Sequence, residues 1–190
     1  MHNEEIAALD FSGWPAPDKF LIEIGRVAAL WASLESFLNI CIQKLAGFND
    51  LNDPKPFILL AHTNFPQRLD MLGALCEHLF PKFAHLRDYK DVISTLRKAQ
   101  ASRNRLMHHG VFHVAGTDRV RMAVGSARGT LKTATHSLAV EDIKRVSVEI
   151  DQAQRALYKL VLGRNLPAAW TQTQAYKAMQ RSAAQPNDTD

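Results

Sequence analysis

Over most of its length this chain alternates apolar and polar residues with a helical period. The spacing predicts a first long helix over about 19–46, with Asp18 as a suitable N-cap. At about 100° per residue, Phe20, Ile24, Val27, Trp31, Leu34, Leu38, Ile42 and Leu45 share one face, and Gly25, Ser36 and Gln43 fall opposite. Gly47 suits the position just past the helix end, and "FNDLNDPKP" reads as the loop that follows. Glu35 does not fit the scheme, since it lies at the edge of the apolar stripe, one turn from Trp31 and Leu38. A short helix or turn, "PFILLAH", leads to a second amphipathic helix over about 65–80, carrying Leu69, Leu72, Leu75, Cys76 and Leu79. A third helix, about 82–109, holds Tyr89, Val92, Ile93, Leu96, Ala99, Leu106 and Met107 in one arc, with Gly110 placed to end it.

From Val111 to His136 the period changes from that of a helix to that of a strand. "VFHVAG", "RVRMAVG" and "TLKTATH" alternate and are separated by the turn signals "TD" and "SARG", so a small antiparallel hairpin or meander is expected. Ser137 then stands near the entry to a last long helix, about 139–163, with Val140, Ile143, Val146, Ile150, Ala153, Leu157, Leu160 and Val161 as its stripe. The expected class is all-α, an up-down bundle of about four main helices with a β insert (111–136) before the last one. An irregular lead (1–18, with "SGWPAP" as turn chemistry) precedes the helical domain (19–163). A tail (164–190) follows, with a weaker helical segment at about 168–181 and a polar, disordered end.

Composition narrows this reading without redirecting it. A chain of 190 residues suffices for one domain with its own core. No apolar run approaches the length of a membrane helix, and "MHNEEIAALD" lacks the basic and apolar regions of a secretory signal, so no membrane partner and a cytoplasmic location are expected. Cys41 and Cys76 both fall beside apolar residues in helical patterns, without metal-ligand spacing, and read as small buried hydrophobes. The net charge of +4 and a pI near 9.2 are compatible with an RNA partner but do not single one out.

The chemistry concentrates in "RNRLMHHG", Arg103 to Gly110. Arg103 projects near the middle of the apolar arc of the third helix, between Ala99 and Leu106. Breaking a buried ion pair typically costs about 3–5 kcal/mol, so an unpaired guanidinium there calls for a carboxylate, a cleft or a subunit interface. Glu35, equally misplaced on the first helix, is the obvious carboxylate. Asn104 and His108 are four residues apart on the flank of the same face. Arg103 and His108, five apart, are separated by about 140° on an ideal helix and converge only because arginine is long and the helix is ending. A titratable imidazole beside a permanent guanidinium is what phosphodiester chemistry requires: one moves a proton, the other grips phosphate oxygens.

"RNRLMH" at the end of a long helix, followed by glycine, together with an upstream helix "IGRVAALWASLESFLN" bearing a glutamate in its apolar face, resembles the HEPN superfamily over most of residues 20–163. The resemblance implies a metal-independent endoribonuclease with no cofactor, working in a site assembled across a homodimer. It implies Arg103 and His108 as the catalytic pair and Asn104 as the polar residue that orients the histidine. The implied reaction is transesterification by the RNA 2′-hydroxyl, leaving a 2′,3′-cyclic phosphate. It also implies a toxin or phage-defence role under an antitoxin or other regulatory partner. His109 follows His108 directly, so either ring could face the cleft. The other reading is a non-catalytic HEPN scaffold that binds a partner protein or nucleotide, with Arg103 kept as a structural ion pair to Glu35.

Further basic residues near the helix end are candidate RNA contacts: Arg105, His113, Arg119 and Arg121. The last three are expected, with Arg128, Lys132 and His136, on the sheet face opposite Val120, Met122 and Val124. His62, His78 and His85 are scattered without ligand spacing, so no metal site is expected. Trp170, Tyr176 and Met179 read as a docking stripe in the tail. No Walker loop, GxGxxG or GxSxG appears.

Overall fold

Local capping chemistry places the ends of the helices. In the computed structural model, which describes residues 15–50, 52–113, 117–126 and 132–171, helix α1 spans Asp18–Leu45. Its first amides, those of Phe20 and Leu21, donate to the Pro17 carbonyl, and Asp18 lies in the first turn, where the helix dipole favours an acid. Its end is a Schellman motif. Gly47 takes a positive φ of 89°, its amide donates to the Lys44 carbonyl, and the Phe48 amide reaches back to Gln43. Pro54 precedes the short α2, Lys55–Leu60, on which Phe57, Ile58 and Leu59 stand exposed. Helix α3, Phe65–Leu79, begins in a capping box that the sequence reading did not identify: Asn64 Oδ1 accepts from the Gln67 amide at 3.0 Å, and Gln67 Oε1 accepts from the Asn64 amide at 2.8 Å.

The third expected helix is shorter than its periodicity suggests. A 3-10 turn, Ala84–Leu86, occupies its first part, and helix α4 proper is Tyr89–Met107. The sheet follows directly, with β1 Val111–His113, β2 Val120–Ser126 and β3 Lys132–Leu138 in the order β1-β2-β3, both pairings antiparallel. Helix α5, Val140–Leu162, is entered through a half-box in which Asp142 Oδ2 accepts from the Ala139 amide at 2.9 Å. It ends at Gly163, whose φ is 64° and whose amide donates to Lys159. The chain is thus mainly helical with a small antiparallel sheet before its last long helix, and not purely α.

The sheet register corrects the expected basic face. Directly opposed residues project to the same side of a sheet. Val120 opposes His113, and Met122 opposes both Val111 and His136. The two histidines therefore share the side of Val120 and Met122, while Arg121, opposite Phe112 and Ser137, stands on the other. Alternation within a strand was legible from the sequence, but the offset between strands goes with burial of Val120 and Met122. Arg128 lies outside the described residues.

The chain divides into two compact units, residues 1–32 with 99–148 and residues 33–98 with 149–190. The first buries Phe20, Val27, Trp31, Ala99, Leu106, Val120, Met122 and Ile143. The second buries Leu34, Leu38, Leu69, Leu72, Leu86, Leu96, Ile150 and Leu157, among others. Within this second unit, Gln154 donates to Ser33 and Tyr158 stacks on Phe37, a step of four along each chain, so α1 and α5 run in the same direction. Arg97 pairs with Asp70, and a Cβ on Gly73 would lie 3.1 Å from Ile93, so α3 and α4 run oppositely. A parallel arrangement of α1 and α5 is not what simple up-down alternation of four helices produces. Gln43, expected on the solvent face, is buried in this unit, as is Asp151, which accepts from Arg155 Nε at 2.8 Å and from the Ala169 amide at 2.9 Å. No helix among the described residues is long and apolar enough to cross a membrane.

Cys41 and Cys76 are buried free thiols in the same unit. Burial, and for Cys41 also the neighbouring Cys76, pushes Cys41 up to about 12, while burial alone pushes Cys76 up to about 11. An unfolded thiol ionises near 8.5, so the folded state holds protons that the unfolded chain releases. This stabilisation is complete below about pH 8.5 and is lost as pH rises through the folded values. Urea denaturation from pH 8 to 10.5 is expected to show stability falling by up to about 1.4 kcal/mol per pH unit per thiol. The fall should be smaller in Cys41→Ala/Cys76→Ala, and an unchanged pH slope in that variant would contradict the assignment.

Candidate active site at the end of helix α4

The last two turns of α4 bring three of the sequence-nominated residues together. Ala99 and Leu106 are buried, as the apolar arc requires, and Arg103 between them is half-buried. Its guanidinium lies over the Trp31 ring, with Cζ 5.4 Å from the centroid. Nη1 donates to Asn104 Oδ1 at 3.0 Å and stands 3.3 Å from His108 Nε2. The helix stops at Met107, and the His108 amide still donates to the Asn104 carbonyl at 3.1 Å. His108 thus leaves the helical path one residue after its last full turn. That departure lets its ring meet a side chain from which an ideal helix would separate it by about 140°.

Within the first unit this cluster contains no ion pair to Arg103 among the described residues. Glu35 belongs to the second unit, and among the described residues of the first unit no carboxylate lies within 4.0 Å of Arg103. Within this unit the charge faces an aromatic ring, an amide oxygen and an imidazole nitrogen. A cation over an aromatic ring contributes about 0.5–2 kcal/mol, more as water is excluded. Arg103 Nε is buried without a hydrogen-bond partner, a deficit of about 1–3 kcal/mol for a typical buried donor. Nη2 makes no hydrogen bond to the described residues, so it is open to an added acceptor.

Because a guanidinium only donates, its bond to His108 requires Nε2 to be the acceptor, and the imidazole is then neutral with its proton on Nδ1. An exposed, unprotonated Nε2 beside a fixed cation is competent to take a proton from a hydroxyl whose neighbouring phosphate the guanidinium holds. The Asn104 side chain contacts the arginine, and no hydrogen bond joins it to the His108 ring.

The remaining nominated residues stand apart from this cluster. His109 is half-buried and makes no contact with Arg103, so His108 is the ring that Arg103 meets. Arg105 is exposed, about 200° round the helix from Arg103. His113 donates its amide to the Pro15 carbonyl at 2.9 Å, and its ring Nε2 lies 3.3 Å from the Thr117 carbonyl. Arg119 is committed to Ser137, with Nε 2.6 Å from Oγ and Nη2 3.1 Å from the carbonyl oxygen. Arg121 is exposed on the same sheet face. Trp31 is the functional residue that sequence reasoning missed. It was assigned to the core stripe of α1, and at 4% exposure it is core, but its ring is also the platform for the guanidinium. Two stripes each carrying one odd residue were visible; which ring lay beneath the arginine was not. Among the described residues no three His, Cys, Asp or Glu side chains group closely enough to hold a metal ion. Trp170 of the proposed tail stripe is partly exposed, and Tyr176 and Met179 lie outside the described residues.

The tautomer is directly measurable. Long-range 15N NMR at pH 8 should show His108 with a protonated Nδ1 and a bare Nε2, and Arg103→Ala should move the ring towards the Nε2-protonated form. A predominantly Nε2-protonated His108 in the unaltered chain would rule out the bond to Arg103. Comparison of the chain with protein-family models, with curated proteins and with solved structures found no significant match.

Proposed function

We propose that this chain is a metal-independent endoribonuclease of the HEPN type, with Arg103 and His108 as its catalytic pair. The observation that carries the reading is the meeting of Arg103, Asn104 and His108 at the end of α4. In the proposed reaction the RNA phosphate replaces His108 as the partner of the guanidinium, freeing Nε2. His108 takes the proton of the 2′-hydroxyl as O2′ attacks phosphorus, and the P–O5′ bond breaks. The leaving 5′-oxygen takes its proton from an imidazolium, supplied in a two-fold site by His108 of a second copy that enters the reaction protonated while the first enters it neutral. The products are a 2′,3′-cyclic phosphate and a 5′-hydroxyl, so bonds and protons balance. Arg103 offsets the charge that grows on the phosphoryl oxygens, an electrostatic role that gains strength where water is excluded. A HEPN-like helical domain acting as a homodimer, in the cytoplasm, in a toxin or phage-defence setting restrained by a regulatory protein, completes this reading.

A second reading has its own support. Arg103 is packed on Trp31 with Nε sealed from solvent, which suits a guanidinium kept to order the helix end. In that case the chain is a non-catalytic HEPN scaffold.

Cleavage of mixed RNA substrates in excess EDTA separates the two. The nuclease reading expects cyclic-phosphate ends, lost by about 10²-fold or more in His108→Ala and Arg103→Ala and retained in His109→Ala. Absence of cleavage above the His108→Ala background on every RNA tried would favour the scaffold.

A further inference from the structure

The second unit holds a cavity of about 530 Å³ that the reading above does not use. Its wall is formed by Tyr158, Val161 and Leu162 near the end of α5. Lys44 from the end of α1, His85 from the 3-10 turn and Arg164 just beyond α5 stand around it. The volume falls within the range of small-molecule sites, roughly 300–1,000 Å³. Tyr158 is held by stacking on Phe37, with centroids 5.5 Å apart and planes at 24°, so the aromatic wall is supported from behind.

The charge around this cavity is one-sided. A lysine, an arginine and an imidazole arrive from three distant parts of the sequence, and no carboxylate of the described residues lines the space. Neither Lys44 nor Arg164 forms an ion pair among the described residues. Cations at helix ends often serve the terminal carbonyls. Here backbone amides already do so, from Gly47 and Phe48 at the end of α1 and from Gly163 at the end of α5. Like charges lining one space repel, and a bound anion relieves that repulsion.

We propose that this cavity binds a small phosphorylated molecule with a flat, apolar body. Lys44 and Arg164 hold the phosphate with His85 beside it, and the body lies against Tyr158, Val161 and Leu162. The site is separate from Arg103 and His108 and does not depend on ribonuclease activity.

Isothermal titration of the full chain with adenosine 5′-monophosphate, inorganic phosphate and adenosine tests this. The nucleotide should bind more tightly than phosphate, and adenosine, which lacks the anion, more weakly than the nucleotide. Both cations are exposed, so Lys44→Gln/Arg164→Gln should fold with an unchanged Tm and lose at least about tenfold in nucleotide affinity. Arg103→Ala should leave that affinity intact. The proposal is overturned by an absence of nucleotide binding at millimolar concentration, by unchanged affinity in the double variant, or by loss of binding in Arg103→Ala, which would move the ligand to the other site.

Discussion

A permanent charge set into an apolar helical stripe is the constraint around which the candidate active site is organised. Arg103 cannot lose its proton, so the surrounding protein must replace the water that the stripe excludes. It does so with the face of Trp31, the amide oxygen of Asn104 and the imidazole of His108. None of these neutralises the charge as a carboxylate would. Within the first unit the guanidinium is held in place without a carboxylate, and neither Nε nor Nη2 makes a hydrogen bond to the described residues.

The same economy appears at the end of the helix. By stopping at Met107, α4 releases His108 from the helical path while the amide of that residue remains tied to Asn104. The chain then enters β1 within a few residues, and the Ala123 amide donates to the Gly110 carbonyl at 3.2 Å. The histidine is therefore anchored on both sides by backbone hydrogen bonds while its ring stays exposed, a combination suited to a group that has to exchange a proton with a ligand. The basic residues of the sheet do not form a second wall as a group. Arg119 is committed to Ser137, and the pairing register puts His113 and His136 on the opposite side from Arg121.

In the second unit the governing devices are caps and buried neutral groups. The glycine-based ends of α1 and α5 satisfy their own terminal carbonyls, which leaves Lys44 and Arg164 available for other partners. Cys41 and Cys76 act as small apolar residues because burial keeps both thiols protonated. Asp151 is the buried exception, and its two oxygens are answered by Arg155 and by the backbone of Ala169, so its charge fastens the segment after α5 to the helix.

What the sequence determined alone was whatever depends on neighbours within about one helical turn. The extents of α1, α3 and α5 followed from apolar periodicity and from residues such as Gly47, and the change to a period of two marked the strands between α4 and α5. Arg103, Asn104 and His108 were legible as a group because they lie on one short stretch of one helix. The tertiary structure decided what depends on contacts between distant segments. Trp31 as the platform, the strand register, the burial of Gln43 and the shared direction of α1 and α5 all belong here. Periodicity tells which face of an element is apolar. It carries no information on which partner covers that face or at what offset, because those are settled by packing of side chains far apart in the chain.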